Sequence, residues 1–146
     1  MIEREYTFIV DFKVSVDEIT QESVKRDLKD HSKLNEWVKD PTFWEMVDRQ
    51  KRLLNALLEN KEVFDQLLKR MVVEQIEPYP DGKLHRRLGV SKEEDTKLLE
   101  PVFVKLSEAD ELFWREVIEE GIFSENTNHV WDSIRIELLG ATVTQM

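Results

Sequence analysis

The chain has 146 residues, 40% apolar and 36% charged, with a formal charge of −10, enough length to bury a core without staples. It contains no cysteine, which excludes disulfides, thiolate nucleophiles and thiolate metal sites. The acidic balance repels phosphate backbones and argues against general nucleic-acid binding, and no apolar run approaches the roughly 20 residues that span a bilayer. No basic leader followed by an apolar stretch opens the sequence, so the expectation is a cytoplasmic protein with no membrane partner.

The first element is a strand. From Tyr6 to Val16 the chain alternates, with Tyr6, Phe8, Val10, Phe12, Val14 and Val16 on one face and Thr7, Asp11, Lys13 and Ser15 on the other. Period two with β-branched and aromatic residues marks a half-buried strand, and only Ile9 breaks the pattern. Asp17 or Thr20 then caps a helix expected to run to about Val38, with Val24, Leu28, Leu34 and Val38 as its apolar stripe. Asp40-Pro41 restarts the helix, Asp as N-cap and Pro in the first helical position. From 41 to 58, Phe43, Met46, Val47, Leu53, Leu54, Leu57 and Leu58 share one arc, so this helix is strongly amphipathic. Asn60 caps the next one, whose stripe is Val63, Phe64, Leu67, Leu68 and Met71, and the short joint makes the two antiparallel neighbours.

Residues 78–90 are expected to form the longest loop, with a β-turn at Tyr79-Pro80-Asp81-Gly82. Ser91 and Glu94 give a capping-box pattern for a helix carrying Leu98, Leu99, Val102, Phe103 and Leu106, which Pro101 is expected to kink or split near Glu100. Ser107 and Asp110 open a further helix with Phe113, Trp114, Val117 and Ile118 on its buried face, and Gly121 closes it. Ile134, Ile136 and Leu138 alternate as a second strand, and the phase shifts by one at Gly140, as a β-bulge requires. The expected fold is α+β, a single domain of about five helices packed on a small sheet made from the two chain ends.

Candidate sites are few. His31 lies between Leu28 and Leu34, with Asp27 four residues before it, and a carboxylate on one ring nitrogen would leave the other for proton transfer or a ligand. The plainer account is a structural His bonded to Asp27 or Asn35, or a helix that breaks near Ser32. Lys83, His85, Arg86 and Arg87 concentrate positive charge in the 78–90 loop and could hold a phosphate or carboxylate, or simply pair with acids of the same chain. His129 and Asp132 sit among acidic residues, yet no HExxH, EF-hand or Glu-x-x-His pattern is present, so neither a metal nor another cofactor is expected. Trp37 and Trp44 flank the Asp40-Pro41 joint at the edges of their stripes, as part of a partner surface or as a local cluster across the joint.

No catalytic motif emerges. Serines lie in no G-x-S-x-G elbow, and the carboxylates of 108–120 fall on the face opposite Phe113, Val117 and Ile118, without the burial that tunes an acid/base pair. Residues 107–146 hold nine acids against two bases, a surface suited to a basic protein partner. The sequence therefore points to a non-enzymatic interaction protein that forms a homodimer through unpaired strand edges. The alternative is a small enzyme or anion-binding domain using the 78–90 loop with His31 or His129.

Overall fold

The computed structural model describes residues 1–79, 82–121 and 123–146. Its elements are β1 (Tyr6–Val16), α1 (Gln21–Asp27), α2 (Leu34–Trp37), α3 (Pro41–Glu59), α4 (Lys61–Ile76), α5 (Lys83–Arg87), α6 (Lys92–Glu120), α7 (Asn128–Asp132) and β2 (Ile134–Gln145), with a 3₁₀ turn at Glu125–Thr127 before α7. The class is α+β: helices pack against a two-stranded antiparallel sheet built from the N-terminal and C-terminal strands. Among the described residues no helix is long and apolar enough to cross a membrane.

Capping explains where most helices begin. Thr20 Oγ1 accepts the backbone N–H of Ser23 at 3.0 Å while Ser23 Oγ accepts that of Thr20 at 2.9 Å, a reciprocal cap for α1. Asp40 accepts from Thr42 at 2.9 Å ahead of Pro41, Asn60 from Val63 at 3.3 Å, and Ser91 from Glu94 at 3.1 Å. The first helix does not reach Val38. It stops at Asp27 and resumes at Leu34 for a single turn. After Leu28, which packs on the core, come Lys29, Asp30, His31, Ser32 and Lys33, a run with no apolar side chain to bury, and His31 Nδ1 accepts the Lys33 backbone N–H at 3.2 Å. That local bond competes with the helical one.

Two further boundaries differ from expectation. The 78–90 segment carries a short helix, α5, started by Glu77, whose carboxylate accepts the N–H groups of Leu84 and His85 at 3.2 Å each. The Gly82 N–H bonds the Tyr79 carbonyl at 3.1 Å across the expected turn, whose central pair, Pro80 and Asp81, lies outside the described residues. Pro101 does not split α6. The backbone leaves helical geometry at Asp110 (φ −160°, ψ 66°), where the further helix was expected to open. Pro101 is exposed, so the Lys97 carbonyl it leaves without an N–H donor faces the solvent side of the helix. Asp110, by contrast, is tied by its carboxylate to Arg49 of α3. Gly121 ends α6 at φ 99°, where a side chain would be strained.

The core centres on α3. Leu53 and Leu57 are fully enclosed and meet Leu67 of α4, Leu99, Trp114 and Val117 of α6, and Val130 of α7. Leu58, expected on the same arc, is exposed at its edge. Trp114 packs between Phe103 and Phe113, at ring-centroid distances of 5.9 and 4.9 Å.

The strands pair over their whole length, from Tyr6 opposite Gln145 to Val16 opposite Ile134. The register slips once: Asp11 faces Gly140 and Phe12 faces Leu138, leaving Leu139 as the extra residue of a bulge. Only the inner end touches the core, through Val16, Ile134 and Ile136. There the Asp17 N–H bonds the Ser133 carbonyl at 2.9 Å, and Arg135 pairs with Asp17 at 2.8 Å. The rest of the sheet stands off the helices as an arm.

Candidate interaction surface

Antiparallel partners directly opposite one another share a face. One face of the arm is thus built by Tyr6, Phe8, Val10, Phe12 and Val14 with Val143, Ala141, Leu138 and Ile136. It has no charged side chain. The other face carries Thr7, Ile9, Asp11, Lys13 and Ser15 with Thr144, Thr142, Glu137 and Arg135, and Lys13 lies opposite Glu137. In a sheet with a covered core face the apolar set would be buried. Here Phe8 is 65% exposed, Leu138 61% and Val143 54%. Eleven residues span roughly 36 Å, so this is a long, continuous apolar strip. Alternation had marked the strands and their apolar faces, but it does not say what lies over a face.

The aromatic residues around Asp40-Pro41 are engaged with one another. His31 lies 4.3 Å from Trp37, Trp37 stacks on Phe43 at 5.8 Å and 15°, and Phe43 meets Trp44 edge-on at 5.0 Å. Trp44 Nε1 donates to the Val38 carbonyl at 2.9 Å, and both Trp37 and Trp44 are half-buried. This cluster forms one wall of a cleft of about 530 Å³ that brings His31 and His129 together, with Met46, Glu125 and Asn128.

His129 is buried, and burial lowers its pKa against the opposing pull of Asp132 and Asp27. Its backbone N–H donates to Gln50 Oε1 at 2.7 Å, and Gln50 Nε2 donates to Asn128 at 3.1 Å. Asp27 pairs with Arg26 at 3.6 Å, and Asp132 is exposed. Among the described residues no group of three or more His, Asp or Glu is placed to hold a metal.

No family model matches the chain, and no curated protein or solved structure matches it either.

The basic loop is divided. His85 is 1% exposed, its Nδ1 is 2.8 Å from Glu77, and its Nε2 is 3.5 Å from Glu74. The His85 ring, together with the Leu84 and His85 N–H groups, outweighs desolvation and lowers the Glu77 pKa. Lys83, Arg86 and Arg87 remain on the surface. His85 does not join His31 and His129, so the three histidines occupy two separate places.

Next to His85 lies a polar cluster that sequence reasoning missed. Arg70, 8% exposed, has Nη2 3.0 Å from Glu74 and Nε 3.3 Å from Asp95. Burial raises the Asp95 pKa from 3.8 to about 6, more than the Arg70 charge lowers it. The signal was present as spacing: Val63, Leu67, Arg70 and Glu74 follow the i, i+4, i+7, i+11 rhythm of the buried side of α4.

Proposed function

We propose that the protein is a non-enzymatic interaction domain that self-associates through its β-arm and presents an acidic helical body to a basic protein partner. One observation carries this reading: an apolar face that the chain's own helices leave uncovered for roughly 30 Å, from Tyr6 to Val14. Monomeric proteins rarely keep such a strip, because its contact with water is unfavourable and the two free strand edges beside it recruit further strands. The acidic body supports the second half, with Glu108, Glu111, Glu116, Glu119 and Glu120 all exposed on α6. A cytoplasmic setting suits a chain without cysteine. Sedimentation equilibrium at micromolar concentration tests the self-association. The expected mass is twice the 17.4 kDa of the chain, and a clean monomer across the concentration range would remove the reading.

A second reading is favoured by the meeting of His31 and His129, which makes the aromatic-walled cleft a place for a small planar ligand. Its support lies apart from the 78–90 loop. The test is a small-molecule screen read on the ring-proton NMR signals of the two histidines. A ligand should move both signals together, and a screen that leaves them in place rejects the cleft as a site.

A further inference from the structure

We propose that the occupant of the arm's apolar face is the same face of a second copy, packed antiparallel, so that the two helical bodies lie at opposite ends of the joined arms. This rests on the self-association reading above and specifies its geometry.

Three features choose a second copy over a different protein. The face has no charged side chain, and its polar groups are confined to Tyr6 and Gln145 at the tip. It therefore offers a heterologous partner no charge pattern to read, whereas it matches its own copy in length, width and chemistry. The area also fits. Half-exposed large side chains of about 150–250 Å² each give roughly 600 Å² per face, so two faces bury about 1,200 Å², the lower bound of a stable interface. Finally, the charge is segregated. The strands hold Asp11 and Lys13, Arg135 and Glu137, which cancel, while residues 17–133 hold 27 acids and 18 bases, a net of −9. The paired strands are therefore a neutral surface that another copy can approach without net repulsion.

Sterics and charge then fix the direction. Val16, Ile134 and Ile136 enter the core, so at the root the helical body itself overlies the apolar face. Sheets pack face to face about 10 Å apart. A parallel pair would drive two bodies into that gap and set two charges of −9 side by side. An antiparallel pair places each tip against the partner's root and separates the bodies by about the arm length of 36 Å, several times the Debye length of roughly 8 Å. The two-fold axis then passes beside Val10 and its small neighbour Ala141, midway along the uncovered stretch. Edge-to-edge pairing would extend the sheet but leave both apolar faces in water, so it does not satisfy the feature that drives association.

The absence of cysteine makes a clean test possible. Val10→Glu and Leu138→Glu alter the apolar face, and Thr142→Glu alters the polar face at the same level. All three sites are exposed in the single chain, so the fold is kept, which the far-ultraviolet spectrum checks. Sedimentation should give monomer for the first two and dimer for the third. A dimer that survives both Val10→Glu and Leu138→Glu overturns face packing while leaving self-association intact. A wild-type monomer sinks the self-association reading itself. Direction is read by a nitroxide label on Ser15→Cys, five residues from the proposed axis on the polar face. Pulsed electron paramagnetic resonance should find the two labels about 35 Å apart, from two offsets of five residues at roughly 3.3 Å each plus the sheet separation. A distance near about 15 Å, the value for parallel arms at a sheet spacing of roughly 10 Å, overturns the antiparallel arrangement.

Discussion

Asp95 holds its carboxyl beside Arg70 and Glu74 where water scarcely reaches, and its pKa rises from 3.8 to about 6. The sign of the consequence is fixed by which state binds the proton more tightly. Between about pH 4 and 6 the folded chain keeps a proton that the unfolded chain releases, so this contribution to stability is full below 3.8 and is lost as pH rises through about 6. Asp95→Asn has no such proton. The unfolding free energy of the wild type should therefore decline relative to that of Asp95→Asn as pH is raised across this window, followed by urea denaturation at each pH. A constant difference would mean that Asp95 is ionised in the folded chain throughout. Burial of His129 acts in the opposite sense, lowering its pKa, so its contribution is present above 6.5 and fades as pH falls. Neither environment could be read from residue type. The sequence shows an Asp in the first turn of a helix and a His after two Asn, and only the packing of α4 on α6 and α7 on α3 decides which ones lose their water.

At the level of elements, periodicity and capping residues located the long helices and both strands, and the bulge at Gly140 was visible as a phase change in the alternation. Asp110 kinks α6 where a further helix was expected to open. Two misread boundaries share a cause: the helix break after Asp27 and the start of α5 at Lys83 each depend on one side chain accepting a backbone N–H, His31 for the break and Glu77 for α5. Such bonds leave no trace in hydrophobic spacing. The arm supplies a test of the element picture, because one strand runs from core to solvent. Ile134 is buried at the root, and Val143 on the same face is uncovered near the tip. In the dilute monomer, Ile134→Ala should cost about 2–4 kcal/mol, as removal of a buried branched side chain does, while Val143→Ala should cost under about 0.5 kcal/mol. Chemical-denaturation midpoints decide it, and equal losses at the two sites would mean that the arm is covered along its length.

For the whole molecule, the division between neutral arm and acidic body also divides the fluorophores. Trp37, Trp44, Trp114 and Trp131 all belong to the helical body, and Trp114 is enclosed in its core, while the arm's one phenol is Tyr6. Indole emission therefore reports the melting of the helices and carries no direct signal from the ribbon. An unfolding curve followed by tryptophan alone would show a single transition even if the arm frayed well before the body. The backbone amides of the strands record that earlier event, as loss of hydrogen-exchange protection from Phe8 to Phe12 while the emission maximum stays blue.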